Sequence, residues 1–156
     1  MMKRYLFILL SLLILGGCAS VSRGVSQVNP TLQYIGTHED GSITVRVAAT
    51  GRNYADALSN AQRFALKRTI FNGISVPGNT LLSRPLITEV NAEEKYESFF
   101  NSFFSNGGDY VGFVNSQDKR FGSDQMYKNK VSVRVMTTIR IFRSDLKEYL
   151  QNNLMP

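Results

Sequence analysis

The chain has 156 residues, of which 43% are hydrophobic, and it carries 18 Lys and Arg against 12 Asp and Glu, a net charge of +6. This length suits one domain that buries about two-thirds of its unfolded surface without disulfides or metals. The basic excess is modest and dispersed, which argues against nucleic-acid binding and favours anionic neighbours such as lipid headgroups or an acidic protein face.

The first seventeen residues have the layout of a secretory signal. Lys3 and Arg4 give a positive start, and the run Tyr5–Leu15 is apolar. This run is too short to cross a bilayer as a helix, which takes about 20 residues. It closes on Leu15-Gly16-Gly17-Cys18, which resembles a bacterial lipobox. The resemblance implies that residues 1–17 are removed and that Cys18 is acylated.

Cys18 is the only cysteine of the chain. Once acylated it leaves no thiol for a disulfide, a metal site or a nucleophile. Two or more acyl chains would hold the protein in the membrane permanently. Ala19-Ser20, which follows without an acidic residue, resembles a signal for the outer membrane, so we expect a lipid-anchored, periplasm-facing protein. The alternative is a chance cysteine at an ordinary signal-peptidase site.

Residues 18–30 are mostly small and polar and predict a flexible tether of about 20 Å. The folded domain is therefore expected at 31–156. Its first elements are a short strand at Thr31–Ile35, a hairpin loop at 36–41 and an alternating strand at Ser42–Ala49.

The predicted hairpin loop contains His38, the only histidine. Two acidic residues adjoin it, but a metal site would need further ligands from distant carboxylates. We therefore expect a solvated turn and no bound metal.

A helix is predicted from Tyr54 to about Asn72, with Asn53 as its N-cap and Gly73 at its end. Small residues recur every four positions, a spacing that lets a helix lie close against a sheet. They are Ala57, Ala61 and Ala65.

The valine-rich strand, the glycine after it and the alanine-rich helix together resemble a small envelope domain. The matching residues are Val45, Val47, Gly51, Ala57, Ala61, Ala65, Leu66, Gly73 and Ile74. The pattern is similar to lipoproteins of the LPP-twenty type and to the N-terminal region of the flagellar assembly protein T. The resemblance implies a part in envelope assembly or scaffolding and brings no catalytic residues.

Residues 75–90 are predicted to form a loop with a short extended piece at Pro85–Ile87. A second main helix is predicted to follow, with Asn91 and Glu94 as a capping box. It carries an aromatic stripe at helical spacing, made of Tyr96, Phe99, Phe100, Phe103 and Phe104. The stripe either covers the apolar face of the sheet or stays partly exposed as a surface for a partner or ligand.

The C-terminal part of the chain predicts a strand at Asp109–Asn115 and a polar connection at 116–130 with a turn at 122–124. Residues 131–141 alternate and predict the longest strand, which forms a central hairpin with the strand before it. Ser144 is expected to cap a short terminal helix.

If one face of the sheet is open to solvent, we expect three arginines on it, either as a plain solvated face or as a second candidate partner surface. They are Arg46, Arg134 and Arg140. Whether they form one patch depends on the strand register, which the sequence does not give.

These elements predict an α+β fold. Its sheet is small and antiparallel, with a mixed sheet as the alternative. Two main helices pack on one face of this sheet, and the chain ends in a short helix.

No phosphate loop or nucleophile motif occurs, and we expect neither catalysis nor a cofactor. The leading hypothesis is a binding or assembly module with envelope protein partners. The alternative is a periplasmic carrier or sensor of a small hydrophobic or anionic ligand. Apolar volume enclosed beneath Phe99 and Phe103 would favour the carrier, and an exposed patch would favour assembly. The oligomeric state stays open.

Overall fold

The computed structural model describes residues 29–116, the backbone of 125–128, and residues 132–154. The predicted signal, Cys18, the tether up to residue 28 and the predicted turn at 122–124 lie outside these ranges.

Five strands form one sheet, and every strand pair in it is antiparallel. The strands are β1 (Thr31–Thr37), β2 (Ile43–Gly51), β3 (Val114–Ser116), β4 (Gln125–Lys128) and β5 (Val133–Ile141). β1 pairs with β2, β2 pairs with β5, and both β3 and β4 pair with the other side of β5. The long strand β5 is therefore central, as the sequence predicted. β4 lies where the sequence predicted only a polar connection.

The helical elements complete the predicted α+β architecture. They are α1 (Tyr54–Lys67), a π-helical turn (Arg68–Asn72), α2 (Thr80–Ser83), α3 (Ala92–Lys95), α4 (Glu97–Phe103), a 3-10 helix (Asp109–Phe113) and α5 (Arg143–Leu154). No helix in the described part of the chain is both long and apolar enough to span a membrane.

α1 lies close against the sheet, as its alanine spacing predicted. Asn53 caps it by accepting a hydrogen bond from the N–H of Asp56 at 2.9 Å. Ala57, Ala61 and Ala65 are all fully buried. A Cβ on Gly51 would lie 2.2 Å from the backbone nitrogen of Ala57, so this glycine permits the close approach of β2 and α1.

The π-helical turn that follows α1 holds the next loop through backbone hydrogen bonds. The carbonyls of Thr69 and Ile70, in the π-helical turn, accept hydrogen bonds from the N–H groups of Leu86 and Ile87 at 3.2 and 3.0 Å. The predicted extended piece at Pro85–Ile87 belongs to a loop without regular secondary structure, and these two hydrogen bonds fix it in place. Gly73 ends the turn at φ +77°.

The second main helix differs from the prediction. Asn91 has a left-handed conformation at φ 59° and makes no capping bond with its side chain, whereas an N-cap residue is extended. The predicted capping box is therefore wrong. The helix is also divided at Tyr96, whose φ and ψ of −108° and 32° separate α3 from α4.

Two further predictions for the C-terminal part need correction. Residues 109–113 form a 3-10 helix rather than the start of a strand, which turns Tyr110 into the core at 2% exposure. A short continuous apolar run does not distinguish these two structures by its period. Ser144 is the second residue of α5 and not its cap, because the helix begins at Arg143.

The core lies between one face of the sheet and the helices. Alternate residues of β5, from Val133 to Ile141, are buried along that face. β2 contributes Ile43, Val45 and Val47, and α1, α4 and α5 contribute their buried residues to the same cluster. The opposite face of the sheet carries the even-numbered residues of β2 and β5.

Candidate partner-binding surfaces

The aromatic stripe is mainly a structural feature. Phe100 and Phe103 are 3% and 1% exposed and belong to the core. The ring of Phe100 meets that of Phe71 edge-on, with centroids 4.9 Å apart. The ring of Phe103 lies 5.8 Å from that of Tyr149. Phe100 and Phe103 thus follow the first of the two alternatives predicted for the stripe, and they are too buried to offer a partner surface.

The outer residues of the stripe, Phe99 and Phe104, are partly buried and pack against the core. Phe99 stacks with Phe103, with centroids 5.8 Å apart. Phe104 lies beneath the ammonium of Lys67, which is 5.3 Å from its ring centroid. The exposed edges of Phe99 and Phe104 are what remains of the predicted aromatic surface.

A surface cleft of about 320 Å³ opens beside α3 and α4. Glu93, Glu94 and Glu97 line one part of it, with Lys67 in an ion pair with Glu93, and the rings of Phe100 and Phe104 also line it. The three carboxylates give the cleft an acidic character, which does not suit an anionic ligand.

The register of the sheet places Arg46, Arg134 and Arg140 on one face, which we call the arginine face. Arg46 lies opposite Thr138 on the neighbouring strand. Arg140 is two residues along β5 from Thr138 and is thus the diagonal neighbour of Arg46. Arg134 is four residues away in the other direction, about 13 Å along the strand. The arginine face thus has a close pair at one end and a single guanidinium at the other.

Arg140 is held by groups at the β1–β2 turn. Its guanidinium donates to the Oδ2 of Asp40 at 2.6 Å and to the hydroxyl of Ser42 at 2.7 Å. Ser42 in turn donates to the Oδ1 of Asp40 through its hydroxyl, at 2.6 Å, and through its N–H, at 3.0 Å. These hydrogen bonds from Ser42, together with the charge of Arg140, lower the pKa of Asp40 to about 2.

Sequence reasoning missed this network, although Asp40-Gly41-Ser42 is a typical turn in which an Asp side chain bonds two residues ahead. Arg140 is bound within this network. Arg46 is exposed, whereas Arg134 and Arg140 are half-buried. No ion pair to Arg46 or Arg134 forms among the residues that the structure describes.

His38 lies in the same turn, where its Nε2 hydrogen-bonds the hydroxyl of Thr44 at 2.8 Å. Within residues 29–116 and 132–154, no three His, Cys, Asp or Glu side chains are grouped closely enough to hold a metal ion.

No protein-family model, curated protein or solved structure matches the chain.

Proposed function

We propose that this protein is a lipid-anchored outer-membrane protein, acylated on Cys18 and facing the periplasm. Its α+β domain acts as a non-catalytic binding module in a cell-envelope complex. The observation that carries this proposal is the difference between the two faces of the sheet among the described residues. The helices pack on one face, and three arginines share the other.

Arginine is well suited to recognise a protein partner, because its planar guanidinium binds a carboxylate through two parallel hydrogen bonds. Arg46 is exposed, and Arg140 beside it is pre-oriented by Asp40 and Ser42. A pre-oriented side chain loses less entropy on binding than a mobile one. The partner expected here presents acidic side chains at the spacing of neighbouring strands.

The resemblance of β2 and α1 to envelope assembly domains also supports this proposal. The carrier alternative has weaker support. The rings of Phe99, Phe103 and Tyr149 pack against one another, and three carboxylates line the cleft beside α4 together with Phe100 and Phe104.

The proposal is tested by cross-linking the full-length protein in intact cells, isolating it from solubilised membranes and identifying attached proteins by mass spectrometry. Arg46→Glu reverses the most exposed charge of the arginine face. Arg68→Glu is the matched control, because Arg68 is also an exposed arginine but lies in the helix layer. Cys18→Ser tests the anchor.

We expect one or two stoichiometric partners that are lost with Arg46→Glu and kept with Arg68→Glu. Cys18→Ser should move the protein out of the membrane fraction. Equal partner yields for the two arginine variants would refute the role of the arginine face. A protein recovered without partners would refute the assembly function.

A further inference from the structure

Among the described residues, β1 forms one edge of the sheet, and β3 and β4 lie at the other. Charged residues in an edge strand are a common device against pairing with other chains. β1 has seven residues, and none of them is charged. The backbone along its outer side is thus suited to accept another strand.

The side chains of β1 also leave apolar surface at this edge. Leu32 and Tyr34 are only half-buried at the rim of the core. Thr31 and Gln33 point to the arginine face and are exposed. The pairing of β1 with β2 is regular from Thr31 to Tyr34 and shifts at Ile35, which is 47% exposed. A strand laid along β1 would cover the rim of the core.

We propose that β1 pairs antiparallel with β1 of a second copy of this chain, with Gln33 facing Gln33 across a two-fold axis. Residues directly opposite each other in a sheet share a face. With Gln33 at the centre, Leu32 of each copy therefore faces Tyr34 of the other. Aliphatic and aromatic residues make favourable cross-strand pairs, and the two apolar rims become one continuous core face.

Two observations favour a second copy as the occupant. β1 is uncharged throughout, so two identical strands meet without like-charge repulsion. The chain enters the described structure at Asn29, two residues before β1. With the proposed lipid anchor, on which this point rests, tethers of equal length would hold the β1 edges of neighbouring copies at one height above the membrane.

The test is disulfide trapping of the full-length protein in membranes. Gln33→Cys places a thiol on the proposed axis. Thr37→Cys is the control, because it lies on the same strand and is also exposed. In the proposed register the two copies of residue 37 are separated by eight residues, about 26 Å along the strands. The wild type, with Cys18 alone, gives the background.

Gln33→Cys should give at least about tenfold more disulfide-linked dimer than Thr37→Cys, because a disulfide requires Cα atoms within about 7 Å. Equal trapping of the two variants, trapping of Thr37→Cys alone, or a disulfide to a different protein would overturn the proposal. So would a monomer with both variants.

Thiol labelling and membrane fractionation of the same samples report the anchor separately. A reactive Cys18 in a soluble fraction would refute lipidation. The dimer is judged separately, from the difference in disulfide-linked dimer between the Gln33→Cys and Thr37→Cys variants.

Discussion

Thr137 provides a sharp test of the core packing. It lies on the buried face of β5, opposite Val47 and between Val135 and Ile139. Its side chain is 1% exposed, and its hydroxyl has no hydrogen-bond partner among the described residues. Val has nearly the same shape and no polar atom, so Thr137→Val removes the unpaired hydroxyl and keeps the packing.

The expected gain follows from the cost of an unpaired buried hydroxyl, which is about 1 to 3 kcal/mol. We expect Thr137→Val to raise the free energy of unfolding by about 1 to 2 kcal/mol, because the new methyl group also gains burial. For a domain of this size, that corresponds to a rise in Tm of about 3 to 8 °C.

Thr44→Val is the matched control on the neighbouring strand. Thr44 is also buried, but its hydroxyl is hydrogen-bonded to His38, so this variant should lose about 1 kcal/mol. Urea and thermal unfolding of both variants give the comparison. A loss of stability in Thr137→Val would show that its hydroxyl is satisfied, and would refute the reasoning.

Three further predictions use urea titrations or pH-dependent unfolding. Gly73→Ala should cost well over ~1 to 2 kcal/mol, because φ 77° and ψ 165° form a backbone region that is essentially restricted to glycine and because the new Cβ would lie 2.1 Å from the carbonyl oxygen of Ser83. Gly78→Ala, at φ +74° with nothing within 4 Å, should cost only about 1 to 2 kcal/mol, and equal losses would contradict the argument. The lowered pKa of Asp40 means that its contribution is present above about pH 4 and is lost as the pH falls toward 2. Asp40→Asn should therefore lose less stability than the wild type over that range, and parallel profiles would contradict this. Burial, with a hydrogen bond to Asp109, raises the pKa of Tyr149 to about 12. Its contribution is present below about pH 10 and is lost as the pH rises toward 12. Tyr149→Phe should flatten that loss, and an unchanged slope would refute the assignment.

The fold could be predicted best where local signals agree. Three such signals are confirmed, namely the alternation in β2 and β5, the cap at Asn53 and the alanine spacing of α1. Each of them is compatible with only one type of secondary structure. The region between Gly73 and β3 could not be predicted in the same way. Its short elements are held by contacts distant in sequence, such as the hydrogen bond from the N–H of Leu86 to the carbonyl of Thr69, which leave no period in the sequence.

The candidate surfaces depended on information that a single sequence does not carry. The spacing of Arg46 and Arg140 follows from the register of β2 and β5, which is a property of the pairing of the strands. The edge position of β1 likewise follows from strand order. By contrast, the helical spacing of the aromatic residues could be read from the sequence, but this spacing did not show which rings would be buried.

The packing of the aromatic rings explains why a partner should bind elsewhere. α4 has only seven residues, too few for a helix to persist by its own hydrogen bonds. The burial of Phe100 and Phe103 therefore holds α4 on the domain. A partner that bound these two rings would have to detach α4 from the core. We therefore expect a partner to bind surfaces whose side chains are not part of the core.

The arginine face and the edge of β1 are such surfaces, and they adjoin, because Gln33 lies opposite Arg46. In the proposed dimer, the Arg46 residues of the two copies would be three strand spacings apart, about 14 Å. Charges this far apart in solvent repel little, since the screening length at physiological salt is about 8 Å. Dimerisation would thus join two arginine faces at small electrostatic cost and let a repetitive acidic partner bind both.

Ile35→Lys, which blocks the edge and leaves every arginine in place, should then weaken partner capture. The control Leu81→Lys, at a residue 70% exposed, should not. If the Ile35→Lys variant captured as much partner as the wild type, partner binding on the arginine face would not depend on pairing through β1.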